Sequence, residues 1–183
     1  MKEKIKLPQK IFYLCKRIIP LKDIYGKNKN KLKSIGAVYC FWWLGKRKEL
    51  MRSEKRIILS GPGKKDVFLE HQDWFPKDLP FIPLYVGKTT KLKTRISQHL
   101  LRKLLNRVHT KPKNLKKVKP KTTSCQLRAG IEQIFPNKEK TLEFILENIG
   151  LSFIEEELPG RRFYLENFTI GYLRPWFNLD SER

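Results

Sequence analysis

The sequence predicts a small α+β domain. Hydrophobic runs of strand length occur at residues 35–44, 82–87 and 151–154. Between and after these runs, hydrophobic residues recur with helical spacing, above all at residues 91–106 and 161–173. A length of 183 residues and a hydrophobic fraction of 40% are typical of one domain with its own core. We therefore treat residues 1–183 as a single domain with additions.

The first strand is the most hydrophobic part of the chain. Residues 35–44 contain no charged side chain, which predicts a strand buried on both faces and hence central in its sheet. Residues 45–80 then form an insertion before the second strand. Within the insertion, residues 56–59 and 67–69 predict a β-hairpin around a turn that contains Gly61.

Helix boundaries follow from caps and breakers. A long amphipathic helix is predicted over residues 91–106, and Ser124 is a suitable N-cap for a short helix that runs to Phe135. A further helix is predicted over residues 141–148, with Gly150 as the residue that ends it. The final helix is stopped by Pro175, since proline cannot continue a helix.

The charge of the chain indicates a polyanionic partner. Forty Lys and Arg against 18 Asp and Glu give a net charge of +22. Between Asp78 and Glu132 there is no acidic residue but there are 14 Lys or Arg. A solvated surface normally mixes signs, so this stretch predicts contact with nucleic acid, and binding should weaken steeply with salt. This stretch includes a basic loop (residues 107–123), and an N-terminal arm (residues 1–34) is basic as well.

The cysteines and the hydropathy of the chain indicate the cellular compartment of the protein. Cys15, Cys40 and Cys125 are odd in number and widely spaced, which favours neither a disulfide framework nor a zinc finger. No hydrophobic run approaches the ~20 residues of a membrane span, and residues 11–15 are too short for the core of a signal peptide. We expect a reduced, cytoplasmic protein without a membrane partner.

Polar residues that suit phosphate chemistry follow the two main strands. Tyr39 lies in the first strand and Tyr85 in the second. Gly87 is expected to let the backbone turn directly from the second strand into the following helix. Arg95 and His99 are four residues apart and hence lie on one face of that helix. A tyrosine, an arginine and a histidine can thus converge on one point.

Glu166 is unusual for its position. On a helical wheel it lies inside the apolar arc, between Ile170 and Leu173. An isolated carboxylate there costs several kcal/mol unless a cation or hydrogen-bond donors compensate. Both a metal ion and a structural salt bridge with an arginine would do so, and the sequence leaves both open.

Taken in order, these motifs resemble the GIY-YIG nuclease family over residues 36–178. The first motif is represented by Ala37-Val-Tyr39, with Gly36 one residue before the position where the family has glycine. The other matching residues are Tyr85-Val-Gly87, Arg95, His99, Glu166 and Asn178. The long gap from Tyr39 to Tyr85 requires the insertion.

The resemblance implies a central three-stranded antiparallel sheet flanked by helices and a metal-dependent DNA endonuclease. It implies a single divalent ion, Mg²⁺ or Mn²⁺, on Glu166, and a scissile phosphate held by Arg95. The family's base would be Tyr39, assisted by Tyr85 and His99. Gly87 and Asn178 would be structural. Apart from the family motifs, the basic residues of this stretch are candidates for substrate binding: Lys88, Lys91, Lys93, Arg102 and Lys103. Lys88 is either such a phosphate contact or a residue that lowers the pKa of the tyrosine.

The additions bear on specificity. The chain ends five residues after Asn178, so recognition is expected from the arm, the insertion and the basic loop. Such an arrangement resembles the restriction enzymes of the family, which act on duplex DNA. One site cuts one strand, so cutting both requires a homodimer on DNA or two successive binding events.

Two alternatives remain open at this point. A non-catalytic protein could keep the fold and bind DNA or structured RNA through its basic face. An RNA-binding or RNA-processing protein could use Trp42, Trp43 or Trp74 to stack on unpaired bases. The same tryptophans could instead belong to the core.

Overall fold

The computed structural model describes residues 9–25, 32–60, 66–71, 75–101, 126–135 and 141–178. Its strands are β1 (Ile19–Pro20), β2 (Ala37–Trp43), β3 (Arg56–Ser60), β4 (Asp66–Glu70), β5 (Ile82–Thr89) and β6 (Ile149–Glu155). Its helices are α1 (Gln9–Lys16), α2 (Leu21–Tyr25), α3 (Arg47–Met51), α4 (Leu92–Leu101), α5 (Gln126–Ile134), α6 (Thr141–Asn148) and α7 (Pro159–Leu173). The predicted α+β class is confirmed.

The main sheet has four antiparallel strands in the described chain, in the order β1-β6-β2-β5. The expectation of three strands is therefore wrong by one. The additional strand, β1, pairs Ile19 with Leu151 and Pro20 with Gly150. Two residues, one of them a proline, carry no periodic pattern, so the sequence could not reveal this strand.

Strand β2 is central, as predicted, and all seven of its residues are buried. Successive side chains of a strand point to opposite faces of the sheet. Tyr39 and Trp43 belong to a core shared with α2, α4, α5 and α6. Val38 and Trp42 belong to a second core shared with α1 and α7. The sheet thus lies between two helical layers.

The predicted hairpin of the insertion is confirmed. Strands β3 and β4 pair antiparallel, with Ile58 opposite Phe68, and β3 contacts α5. The side-chain amide of Gln133 on α5 accepts from the Ile58 N–H at 2.8 Å and donates to the Ile58 carbonyl at 2.7 Å. Helix α3 is an additional element of the insertion that the sequence did not predict.

The described part of the N-terminal arm is folded. Ile11, Leu14 and Cys15 on α1 are buried in the second core, and α1 contacts β6. Cys15 and Cys40 are buried free thiols, and burial raises the pKa of Cys15 to about 11. In the described ranges, no helix is both long and apolar enough to cross a membrane.

Gly150 does not end a helix, contrary to the prediction. It lies in β6, while α6 ends at Asn148, whose side-chain amide donates to the Phe144 carbonyl at 3.0 Å. A Cβ at Gly150 would lie 2.6 Å from Cγ2 of Ile18. The glycine therefore allows the chain before β1 to approach β6 closely.

The helix predictions hold with shifted ends. Helix α7 begins at Pro159, two residues early, because proline suits the first turn of a helix. It ends at Leu173, followed by Arg174 in the left-handed region (φ 49°) and by Pro175. Helix α4 is described as far as Leu101, and the basic loop 107–123 lies outside the described residues.

Candidate active site

The hydroxyl of Tyr39 is the centre of a buried polar cluster. It lies 2.8 Å from Nε2 of His99, and Nε of Arg95 donates to it at 3.2 Å. The ring of Tyr85 lies 6.2 Å from that of Tyr39 and 5.1 Å from that of His99, centroid to centroid. Four of the five predicted catalytic residues therefore meet around one hydroxyl.

The start of α4 aims its side chains at Tyr39. The Thr89 hydroxyl accepts from the Lys91 N–H at 3.0 Å, and the Ile35 carbonyl accepts from the Leu92 N–H at 3.0 Å. These bonds satisfy backbone donors that a helix leaves open at its first turn. Arg95 and His99, one turn apart, then face β2 as their spacing predicted.

Burial dominates the acidity of Tyr39. The residue is 0% exposed, and desolvation raises the pKa of its hydroxyl to about 12. The positive charge and hydrogen bond of Arg95 lower the pKa but do not offset burial, and the charge of Glu166 raises it further. The Tyr39 hydroxyl is thus protonated and neutral at physiological pH.

Glu166 is paired with Lys88. The Nζ of Lys88 donates to Oε2 of Glu166, and the two side chains are 39% and 13% exposed, respectively. This lysine supplies the compensating cation that the position of Glu166 in the apolar arc requires. Glu166 thus makes the salt bridge that the sequence left open, but its partner is a lysine and not an arginine.

The pair lies on the other side of strand β5 from the tyrosine cluster. Gly87 is opposite Tyr39 and Lys88 is opposite Val38 in the register of β2 and β5, so their side-chain positions point to opposite faces. The negative charge of Glu166 nevertheless raises the pKa of the Tyr39 hydroxyl. The five residues thus form two electrostatically coupled groups beside one strand.

Gly87 serves the site in a way that the sequence did not indicate. We expected it to turn the chain into the helix, but it lies inside β5 and has no positive φ. A Cβ at this position would lie 2.6 Å from the Tyr39 hydroxyl oxygen and 2.9 Å from Cε1 of Tyr85. Glycine is therefore required for the close approach of the two tyrosine rings.

We expect Gly87→Ala to destabilise the protein by about 1–3 kcal/mol, because the added methyl group must displace Tyr39 or Tyr85 in a packed core. Gly171→Ala in α7 is the matched control: its added Cβ meets nothing within 4 Å, so it should stabilise by about 0.5–1 kcal/mol. Urea unfolding measures both. Equal free energies of unfolding for Gly87→Ala and the parent protein would contradict the steric argument.

Asn178 holds the chain after α7 against β5. Its side chain accepts from the Val86 N–H at 2.8 Å and donates to the Val86 carbonyl at 2.9 Å. The Phe177 N–H donates to the Leu84 carbonyl at 2.8 Å. Asn178 is 1% exposed and hence has the geometry of a structural residue, as expected.

The remaining candidates divide into three groups. Lys91 and Lys93 are exposed beside the cluster, where a phosphate backbone can reach them. Arg102, Lys103 and Trp74 lie outside the described residues. Trp42 and Trp43 are 0% and 1% exposed, so both belong to the core and neither can stack on a base.

One divalent ion fits the residues present. The described ranges contain no group of three or more His, Cys, Asp or Glu side chains that could hold a metal. Mg²⁺, however, commonly uses one or two carboxylates together with waters and substrate phosphates. Glu166 supplies such a carboxylate, provided that the Lys88 ammonium group gives way to the ion.

Comparisons with protein-family models, curated proteins and solved structures found no match to this chain. The relation to GIY-YIG nucleases thus stays a resemblance that rests on the residues of the site.

Proposed function

We propose that the protein is a metal-dependent DNA endonuclease of the GIY-YIG type that hydrolyses phosphodiester bonds. The observation that carries this proposal is the convergence of Tyr85, Arg95 and His99 on the Tyr39 hydroxyl, with Glu166 close enough to act on its pKa. A protein that only binds DNA does not need a tyrosine buried between an arginine and a histidine.

Arg95 is suited to hold the scissile phosphate. Burial lowers its pKa, but the charges and hydrogen bonds of Tyr39 and Tyr85 outweigh this effect and raise the pKa above its ordinary value. The guanidinium is therefore charged at all physiological pH values. Its planar fork matches the oxygens of a phosphate, which favours an in-line attack by a positioned water.

Tyr39 and His99 are suited to move the proton of the attacking water. A 2.8 Å hydrogen bond joins the Tyr39 hydroxyl to Nε2 of His99, with the donor set by the tautomer of the imidazole, and Arg95 stabilises negative charge on the tyrosine oxygen. Glu166 would hold the divalent ion. When bound, such an ion neutralises charge on the phosphoryl oxygens and on the leaving oxygen.

The basic residues support a duplex substrate. Lys88 is exposed beside Glu166, Lys91 and Lys93 are exposed at the start of α4, and the chain carries a net charge of +22. The β3–β4 hairpin and the basic loop 107–123 are additions from which sequence recognition could come. We therefore favour a restriction-like enzyme, acting as a homodimer when it cuts both strands.

The first experiment is incubation of the protein with supercoiled plasmid, with Mg²⁺, with Mn²⁺ and with EDTA. We expect discrete fragments that require the divalent ion and that disappear as salt rises. Several plasmids should be used, because a restriction-like enzyme cuts only where its site occurs.

The alternatives give other results. A non-catalytic binder retards the DNA and leaves it intact under every condition. An RNA-directed protein is displaced from duplex DNA by structured RNA at matched salt. Either result, obtained with both metals, would overturn the proposed function.

A further inference from the structure

Two aromatic side chains are exposed on α7 next to Glu166. Phe163 is 57% exposed and Tyr164 is 58% exposed. Most aromatic side chains of this size are used in cores or interfaces because burying them is strongly favourable. An added Cβ at Gly160, one turn before them, would meet nothing within 4 Å, so the start of α7 is open at that position.

Phe163 is connected directly to the candidate active site. The Nζ of Lys88 lies 4.8 Å from the centroid of the Phe163 ring and also contacts Oε2 of Glu166. Phe163 and Glu166 are three residues apart and hence share one face of α7. One lysine thus links an exposed aromatic ring to the carboxylate that would hold the metal.

We propose that Phe163 forms a stacking surface for an unpaired base adjacent to the phosphate that is cut, while Tyr164, whose ring lies 6.1 Å from that of Phe168, flanks it on the next position of the helix. The base and phosphate of a nucleotide are joined through one sugar, so a base on Phe163 brings its phosphates to Lys88. Aromatic rings stack on every base, whereas paired bases in a duplex are not accessible to them. This inference rests on the proposed endonuclease activity and changes its preferred substrate from a fully paired duplex to a duplex that carries an unpaired nucleotide.

The consequence is a preference for DNA that carries an unpaired nucleotide, such as a bulge or a strand junction, over the same sequence fully paired. Trp42 and Trp43, which the sequence suggested for stacking, are buried, so we assign base stacking to α7 instead. The net positive charge of the chain supports a nucleic acid as the occupant of this surface.

The test compares two labelled duplexes that differ by one bulged 2-aminopurine nucleotide, bound in EDTA so that no cleavage occurs. We expect the parent protein to bind the bulged duplex at least about fivefold more tightly, with a change in 2-aminopurine fluorescence. Phe163→Leu and the double variant Phe163→Leu/Tyr164→Leu should lose the preference. Phe163→Trp should keep it.

The matched control is Phe12→Leu. Phe12 is also an exposed aromatic residue, 48% exposed, with Lys16 Nζ 5.7 Å from its ring centroid, but it lies on α1. We expect this variant to bind both duplexes as the parent protein does. Melting temperatures verify that all variants fold. We expect them to be close to that of the parent protein, because every substituted residue is exposed.

Three results would overturn the inference: equal affinity of the parent protein for both duplexes, an unchanged preference in the double leucine variant, or a preference lost equally in Phe12→Leu. Loss of self-association in the double variant, with its DNA preference intact, would assign the surface to a second copy. Because binding is measured without metal, these outcomes are independent of cleavage. Absence of cleavage overturns the proposed function instead.

Discussion

Replacing Glu166 with glutamine is expected to reduce DNA cleavage by about 10³-fold or more while DNA affinity stays the same or rises. The amide keeps the size of the side chain but removes the charge that would hold a divalent ion opposite the phosphate. Removal of a negative charge also frees Lys88 for the DNA backbone. Single-turnover cleavage rates and binding at matched salt measure the two effects separately.

Glu147→Gln is the control for Glu166→Gln. Glu147 is exposed on α6, so it reproduces the change in net charge away from the site. The Lys88–Glu166 pair is partly exposed, so its loss costs at most about 1 kcal/mol and the variant should fold. Cleavage within about tenfold of the parent rate would remove Glu166 from the proposed site.

The second large effect on the cleavage rate is expected for Tyr39→Phe. We expect cleavage to fall by about 10²–10⁴-fold, the range of general acid–base catalysis. Burial raises the pKa of Tyr39 to about 12, so its ionised fraction at neutral pH is small and grows about tenfold with each pH unit. The parent rate should therefore rise steadily from pH 7 to pH 9, and this rise should be lost in Tyr39→Phe.

The same pKa predicts an effect on stability. Between pH 10 and pH 12 the unfolded state releases the Tyr39 proton while the folded state retains it, so the free energy of unfolding falls as pH rises. The loss amounts to about 3 kcal/mol across that interval. Tyr39→Phe should show a correspondingly smaller loss than Tyr13→Phe, which alters an exposed tyrosine. Equal losses in both variants would show that Tyr39 is not buried in its neutral form.

Much of the fold could be predicted because local patterns and tertiary structure agree. The β2 sequence is hydrophobic at every position, and only a central strand between two layers buries such a run. The spacing of Arg95 and His99 fixed their common face before any contact was known. Helix α7 ends at Leu173, before Pro175, where expected, because proline ends a helix irrespective of its surroundings.

The contacts that tertiary structure creates could not be predicted. Strand β1 exists because β6 offers it an edge, and nothing in Ile19–Pro20 indicates this. Gly87 was interpreted as a turn residue and Gly150 as the residue that ends a helix, whereas each allows a close approach between distant parts of the chain. The local sequence indicates which backbone conformations a glycine permits, but it does not indicate which distant atoms pack against the glycine.

The partner of Glu166 illustrates the same limit. The helical wheel indicated that the carboxylate needs a compensating cation, yet it could not identify Lys88, 78 residues away in sequence. Nor could it separate Trp42 and Trp43, which the core absorbs, from Phe163 and Tyr164, which remain exposed. Composition showed that aromatic residues are abundant, and only packing determines which of them are accessible.

The two side-chain amides that bond to strand backbones have a consequence for solubility. A bare strand edge presents backbone donors and acceptors that can pair with another chain and start aggregation. Gln133 occupies such groups on β3, and Asn178 occupies them on β5. Each amide occupies both backbone groups of one strand residue, Ile58 on β3 and Val86 on β5. An incoming strand would have to displace that amide before it could pair at this residue, which disfavours edge-to-edge association of copies of the chain.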